Sequence, residues 1–156
     1  MFNKGEYVVH NVAGLCEVKD IVICLEKEYY VLNKYGDSKT KIMVPVNSKL
    51  NLVRKVASKN EIDDAIKSIP SIIANPIYDY RVRTREYDKM LKSGDIMTLF
   101  KLIKCLLKQK AEKGMLTESD KKIVKAAEEL IDTEFSYSLN IEQNDVKKYI
   151  LNGAGI

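Results

Sequence analysis

Few residues of this chain could carry acid–base or nucleophilic chemistry. The sequence contains one histidine, His10, and three cysteines, Cys16, Cys24 and Cys105. Nucleophilic catalysis needs a base beside its nucleophile, and the sequence pattern assembles no such set around His10. His10 falls in a segment that we predict to be a strand, so we interpret it as structural. The spacing of the cysteines fits no metal motif, and we expect reduced, buried thiols.

Other catalytic signatures lead to the same expectation. The glycines are too scattered for a phosphate-binding loop or a dinucleotide fingerprint. Two pairs of adjacent acids, Asp63-Asp64 and Glu128-Glu129, are typical of solvated helix faces. We therefore predict that the protein is not an enzyme, that it uses no cofactor or metal ion, and that it has no small-molecule substrate.

Positive charge is concentrated in one part of the chain. The formal net charge is only +4, but residues 78–113 hold ten basic and five acidic side chains, a local balance of +5. Residues 114–156 have a balance of −3. The basic stretch begins with two tyrosines and four cations: Tyr78, Tyr80, Arg81, Arg83, Arg85 and Lys89.

This combination of residue types suits nucleic-acid binding. Arginines can hold phosphates while a neighbouring aromatic ring presses against the bases. Arg85 and Lys89 are four residues apart and would share one helix face. Cations at a helix N-terminus oppose the helix macrodipole, which slightly favours an anionic partner. The alternative is a solvated helix face whose tyrosines pack against neighbouring helices, and the sequence leaves both interpretations open.

The first third of the chain has the alternation of β-strands. Strands are predicted at Tyr7–His10, Gly14–Ile23, Glu28–Leu32 and Lys39–Val44, with a short closing strand within Leu52–Val56. Short strands joined by tight turns in fewer than 60 residues are typical of a small SH3-like or Tudor-like barrel. The strand Lys39–Val44 could lie at an edge and pair with a strand of another protein. An ordinary internal strand is the alternative.

The period then changes from two to 3.6, which predicts helices. Ser58 and Glu61 form a capping-box pattern that opens the first helix, which should end before Pro70. Further helices are predicted from Asp79 to Lys92, from Asp95 to Gly114, and from Thr117 past Phe135, with a buried stripe on the third that includes Leu107. Asn140 and Gln143 are candidates to open a last short helix.

These patterns predict a two-part α+β fold. Residues 1–56 form the small Tudor/SH3-like β-barrel, and residues 57–156 form an all-α helical domain. The N-terminus has no signal-peptide pattern, and no apolar run approaches the ~18 residues that a membrane-spanning helix needs. We therefore expect a soluble, cytoplasmic protein with no membrane partner.

Five motifs in order resemble the CarD/CdnL family of bacterial transcription regulators. They are Phe2-x-x-Gly5-Glu6-x-Val8-Val9-His10-x-x-x-Gly14, Glu28-Tyr29-Tyr30-Val31-Leu32, Ile42-Met43-Val44-Pro45-Val46, Arg83 through Ser93-Gly94-Asp95, and Lys113-Gly114-Met115-Leu116-Thr117-x-x-Asp120-Lys121. The resemblance spans nearly the whole chain. It implies a Tudor-like domain that binds the β subunit of RNA polymerase, a module shared with the transcription-repair coupling factor, and a helical domain that touches promoter DNA.

The resemblance also implies a mechanism. In the family, a tryptophan at the start of a helix wedges into the minor groove at the upstream edge of the melted −10 region and stabilises the open complex. This chain has no tryptophan. Counting back from Ser93-Gly94-Asp95 places Tyr80 at the tryptophan position, or Tyr78 if the loop differs in length. Lys121 matches a basic position that contacts DNA, and Met43 falls where some relatives carry an arginine that meets the polymerase.

The sequence therefore predicts two sets of contact residues. The expected DNA-binding residues are Tyr80, Arg81, Arg83, Arg85, Lys89 and Lys121. The expected RNA polymerase-binding residues are Lys39, Lys41, Ile42, Met43 and Val44. The function that the resemblance implies is that of a transcription regulator, which binds the polymerase β subunit and makes largely sequence-independent contacts with promoter DNA. The alternative is an adaptor that binds the polymerase or another partner with little or no wedge activity.

Overall fold

The computed structural model describes residues 1–156 and divides into two compact units, Met1–Val56 and Ala57–Ile156. The first is a five-stranded antiparallel sheet and the second is helical. The α+β class predicted from the sequence is confirmed. None of the five α-helices combines the length and the apolar composition that a transmembrane span requires.

The strands of the first unit form a sheet in the order β4-β3-β2-β1-β5. They are β1 (Tyr7–His10), β2 (Gly14–Cys24), β3 (Lys27–Lys34), β4 (Lys41–Pro45) and β5 (Val53–Lys55). The β2–β3 register shifts between Val18 and Asp20, a bulge that increases the local twist of the long β2 strand. One face of the sheet closes over a small core of buried side chains: Val8, Cys16, Val18, Tyr30, Leu32 and Val44.

The fourth strand, β4, is an edge strand, since it pairs only with β3. Its predicted start at Lys39 is wrong by two residues. The carboxylate of Asp37 accepts a hydrogen bond from the main-chain N–H of Lys39 at 3.0 Å, which holds that residue in a turn before the strand. Side chains alternate along β4 as a pleated strand requires. Met43 points outward and Val44 points into the core.

The β2–β3 hairpin has a two-residue turn that the sequence analysis did not predict. Cys24 pairs with Lys27, so Leu25 and Glu26 form the turn. Both have positive φ angles, 49° and 66°, a backbone conformation in which glycine and asparagine are usual. The side chain of Leu25 is 90% exposed. The hairpin therefore closes without the residues that normally favour such a turn.

The helical unit contains five α-helices and one short 3₁₀ turn. They are α1 (Lys59–Lys67), the 3₁₀ turn Ile69–Ser71, α2 (Tyr80–Leu91), α3 (Ile96–Lys113), α4 (Glu118–Leu139) and α5 (Gln143–Ala154). Tyr87 of α2, Leu102 and Leu106 of α3, Phe135 of α4 and Val146 of α5 lie in one buried cluster.

Local capping sets most helix boundaries. Ser58 and Glu61 form the predicted capping box at α1, and Asp79 and Asp95 cap α2 and α3 with their carboxylates. Gly114 ends α3 in a left-handed conformation, with φ of 82°.

Two helix predictions are corrected by the structure. Asn140 does not open the last helix: it ends α4 in a left-handed conformation, and α5 begins after Glu142 without a side-chain cap. Leu107, predicted to lie on the buried stripe of α3, is 53% exposed.

Candidate functional site

The start of α2 presents two aromatic rings to solvent. Asp79 caps the helix by accepting a hydrogen bond from the main-chain N–H of Val82 at 3.0 Å. This cap makes Tyr80 the first helical residue. The side chain of Tyr80 is 58% exposed and that of Tyr78 is 48% exposed. Two large aromatic rings thus lie about half exposed at one end of the helix.

Arg83 lies against the ring of Tyr80 and is almost fully buried, at 6% exposure. Its Nε donates a hydrogen bond to Oδ1 of Asp120 at 3.2 Å, and its Nη1 donates to the main-chain carbonyl of Tyr78 at 3.0 Å. Its guanidinium carbon also lies 5.3 Å from the centre of the Tyr80 ring, within cation–π range.

The structure therefore does not present Arg83 to DNA in the way that the sequence analysis expected. The three arginines alternate in sequence, but on a helix they spread around the circumference, and the middle one turns inward. Its donors bond to groups of the protein itself, and its charge is paired with a buried carboxylate.

Asp120 receives hydrogen bonds from α2, α3 and its own helix turn. Besides Arg83, it accepts from Nε2 of Gln109 at 3.1 Å and from the main-chain N–H of Thr117 at 3.4 Å. Its own N–H donates to the Thr117 hydroxyl, which completes a capping box at the start of α4. The sequence predicted this cap but not the contacts with Arg83 and Gln109, since nothing local links residues on three different helices.

Lys113, at the end of α3, is a site residue that the sequence analysis did not single out. Its ammonium nitrogen lies 5.1 Å from the centre of the Tyr78 ring. The only sequence signal was its membership of the basic stretch. The structure thus places one cation close to each tyrosine ring, a buried one at Tyr80 and an exposed one at Tyr78.

The remaining predicted DNA-binding cations are exposed. Arg81, Arg85 and Lys89 follow one another at intervals of four residues along one stripe of α2. Arg81 takes part in no ion pair of the structure. Arg85 and Lys89 both lie near Glu86, at 3.4 and 3.6 Å. Exposed pairs of this kind contribute about 0–1 kcal/mol, so these cations can exchange their partner for a phosphate.

Lys121, at the start of α4, is also exposed and pairs with Glu118 at 3.1 Å. The exposed tyrosines lie at the start of α2, the exposed cations follow along the helix, and α3 contributes Lys113 beside Tyr78. We call Tyr78, Tyr80, Arg81, Arg85, Lys89 and Lys113 the α2 platform.

The residues predicted to bind the polymerase divide between the surface and the core. Lys41 and Met43 point outward from the edge strand β4, and Met43 is 52% exposed. Lys39 is exposed in the preceding turn, and Ile42 is half-buried. Val44 differs from its neighbours, because its side chain is only 3% exposed and packs in the core. Val44 can offer a partner only its main chain.

His10 has the structural role predicted for it. Its Nδ1 accepts hydrogen bonds from the main-chain N–H groups of Val12 and Ala13, at 3.2 and 3.1 Å, across the β1–β2 turn. An accepting Nδ1 requires the neutral imidazole, and burial lowers the pKa of His10 from its ordinary value.

Two of the three cysteines are buried as expected. Burial raises the pKa of Cys16 to about 11 and also raises that of Cys105, so both thiols are poor nucleophiles at neutral pH. The expectation is wrong for Cys24, which is exposed near the β2–β3 turn. The fold brings together no group of three metal-ligating side chains.

Comparison with known families finds two matches. The family model described as the CarD-like/TRCF RID domain matches residues 2–57, and the model described as the CarD C-terminal domain matches residues 77–151. The first match covers the strands and the second covers helices α2 to α4 and most of α5. No curated protein matches the chain significantly.

Proposed function

Because the chain belongs to the CarD family of transcription-related proteins that interact with RNA polymerase, we propose that its two units engage two partners. The β unit, Met1–Val56, binds the β subunit of RNA polymerase. The helical unit, Ala57–Ile156, contacts promoter DNA near the upstream edge of the −10 bubble and stabilises the open complex. The effect is one of binding without chemistry, as in the rest of this non-enzymatic family.

The observation that carries the DNA role is the exposure of Tyr80 at the first position of α2, beside the exposed cation Arg81. An apolar ring that enters beside a base step can brace distorted DNA, and it needs cations around it to hold the phosphates. The other exposed cations of the α2 platform, together with Lys121, supply phosphate contacts that carry no sequence information. Such binding weakens steeply as salt concentration rises.

The edge strand β4 supports the polymerase role. An edge strand offers unpaired main-chain groups to a strand of another protein, and its outward side chains add specificity. Met43 supplies an exposed apolar contact, and Lys41 on the same face supplies a cation. Across the sheet, Met43 lies opposite Val31, which widens the apolar surface beside this edge.

Tethering explains how modest DNA affinity suffices. Once the β unit is bound to the polymerase, the helical unit acts at a high effective concentration near the promoter. If the platform binds melted DNA more tightly than closed DNA by about 1.4 kcal/mol, the ratio of open to closed complexes shifts about tenfold.

The DNA role is tested by the lifetime of promoter complexes formed with the wild type and with Tyr80→Ala. We expect Tyr80→Ala to shorten the lifetime and Tyr80→Trp, which restores the larger ring, to preserve or extend it. Tyr137→Ala, on α4, is a control for loss of an exposed tyrosine. Equal lifetimes for the wild type and Tyr80→Ala would reject the wedge role.

The polymerase role is tested by capture of core RNA polymerase. Met43→Asp places a charge on the outward face of β4 and should abolish capture. Leu50→Asp adds the same charge at an exposed loop position of the same unit and should not. Undiminished capture by Met43→Asp would move the polymerase surface elsewhere.

An adaptor without DNA contact is the second candidate. Two observations favour it: the chain has no tryptophan, and Glu86 offsets part of the charge of Arg85 and Lys89. This candidate predicts that polymerase capture depends on Met43 while promoter lifetime is indifferent to Tyr80.

A further inference from the structure

We propose that Asp120 is a positioning residue for the ring of Tyr80 and for the main chain at Tyr78, and that it acts through the buried guanidinium of Arg83. The inference deepens the proposed function and rests on it, because it explains how the chain holds the ring that meets DNA. Arg83 itself is assigned to this support and not to phosphate binding.

One guanidinium joins the acid to both tyrosines. Arg83 donates to Oδ1 of Asp120, donates to the main-chain carbonyl of Tyr78, and lies under the ring of Tyr80. These three contacts use different parts of a planar, rigid fork. A lysine at the same position has one ammonium group on a flexible chain and cannot make all three together.

Asp120 is itself held from several directions. Gln109 of α3 donates to its Oδ2, the Thr117 N–H donates to the same oxygen, and the capping box fixes its backbone. Its side chain is 2% exposed. The position of the carboxylate is therefore set by α3 and α4, and Arg83 transmits that position to the beginning of α2.

Stability alone is a weak explanation for this arrangement. A buried ion pair often contributes little net stability, because desolvation of the two charges offsets their attraction, and an apolar pair of similar volume serves as well. A second cost is visible nearby, since the buried Oε1 of Gln109 has no hydrogen-bond partner. What the ion pair adds is a fixed direction for the exposed ring of Tyr80 and a fixed main chain at Tyr78. A ring that is ordered before binding loses less conformational freedom when it meets DNA.

The absence of tryptophan from the chain allows a direct test. Tyr80→Trp creates a single tryptophan at the proposed contact position, which can be excited selectively in the presence of the remaining tyrosines, and its indole can keep the cation–π contact with Arg83. Iodide quenching and fluorescence anisotropy are then measured in the purified full-length protein with and without Asp120→Ala. Asp145→Ala removes an exposed carboxylate from the first turn of α5 and is the matched control.

We expect Asp120→Ala to raise the quenching constant roughly twofold and to lower the anisotropy, because the ring gains nanosecond motion. Asp120→Asn keeps the shape and can still accept from Arg83, so it should restore much of the order. Arg83→Lys keeps the positive charge and should loosen the ring as Asp120→Ala does. If Asp120→Ala fails to fold, as judged by circular dichroism, Arg83→Lys provides the test in its place. An unchanged reporter in folded Asp120→Ala or Arg83→Lys protein would overturn the proposal.

Promoter-complex lifetime supplies the second measurement. Asp120→Ala should shorten the lifetime in the Tyr80 background and have no further effect in the Tyr80→Ala background, since it acts through that ring. An equal additional loss in both backgrounds would overturn the positioning role. A reporter that loosens while wild-type and Tyr80→Ala lifetimes are the same would reject the DNA role and leave the positioning of the ring established.

Discussion

Glu134 and Ala57 are 77 residues apart in sequence and are joined by a buried hydrogen bond. The main-chain N–H of Ala57 donates to Oε2 of Glu134 at 3.0 Å. The hydroxyl of Ser138, one helical turn further along α4, donates to the carbonyl of the same alanine. Both main-chain polar groups of Ala57 are thereby satisfied by one helix. The first residue of the helical unit is anchored just before the capping box of α1.

Replacement of Glu134 by leucine should destabilise the helical unit. The change leaves the buried N–H of Ala57 without its acceptor, and an unsatisfied buried donor costs about 1–3 kcal/mol. Glu134→Gln retains an acceptor oxygen and should cost less. The measurement is urea denaturation followed by far-ultraviolet circular dichroism. Equal midpoints for Glu134→Leu and the wild type would show that this anchor contributes nothing to stability.

The turn of the β2–β3 hairpin offers a stabilising substitution. Leu25 and Glu26 both adopt positive φ angles, and this conformation costs a residue other than glycine about 1–2 kcal/mol. The double substitution Leu25→Asn and Glu26→Gly supplies the residues that prefer this turn. We expect it to stabilise the β unit by about 1 kcal/mol in denaturation experiments. Lys27→Asn, outside the two turn positions, is the control and should give no gain.

Local and non-local features differed in how well the sequence predicted them. The caps at Ser58, Asp95 and Thr117 follow from hydrogen bonds within three residues, so the spacing alone was enough. The β2–β3 turn was not predicted because Leu25 and Glu26 are not residues that favour turns. The exposure of Leu107 was not predicted because periodicity identifies an apolar helix face but does not show whether a neighbouring element covers it.

The candidate site shows the same difference between local features, which the sequence predicted, and tertiary contacts, which it did not. The exposed positions of Tyr80 and Arg81 follow from a local cap and a charged sequence. The burial of Arg83 does not, because its partner Asp120 lies 37 residues away on another helix. The cation–π contact between Lys113 and Tyr78 is also tertiary. The sequence thus identified the helix that bears the candidate residues, and tertiary packing decided which of its cations face the solvent.

The neutral form of His10 should make part of the stability of the β unit depend on pH. Its folded-state pKa lies below the ordinary value of 6.5, so the folded protein binds fewer protons there than the unfolded chain. The stabilisation is therefore fully present above about pH 6.5 and is lost as pH falls through the lower folded-state pKa. Protonation of Nδ1 would also remove the acceptor for Val12 and Ala13.

A His10→Ala variant separates this effect from other titrating groups. At pH 7.5 the variant should be less stable by about 1 kcal/mol, since two main-chain donors lose their acceptor. The difference in unfolding free energy between the wild type and His10→Ala should shrink as pH is lowered toward 5, because only the wild type has the imidazole to protonate. A difference that stays constant over this range would contradict the role given to the neutral imidazole.

Salt dependence distinguishes the exposed cations from the buried one. If Arg81, Arg85 and Lys89 each neutralise a DNA phosphate, removal of one by substitution with glutamine should lower the slope of log K against log salt by about 0.9. The measurement is DNA binding by the purified protein at several salt concentrations. Lys148→Gln removes an exposed charge from α5, away from the α2 platform in sequence, and is the matched control.

Arg83→Gln should weaken binding without this change in slope, because the guanidinium of Arg83 is buried against Asp120 and displaces no counterion from DNA. A slope that falls by the same amount for Arg83→Gln as for Arg81→Gln would mean that the buried pair opens on binding and that Arg83 contacts a phosphate after all.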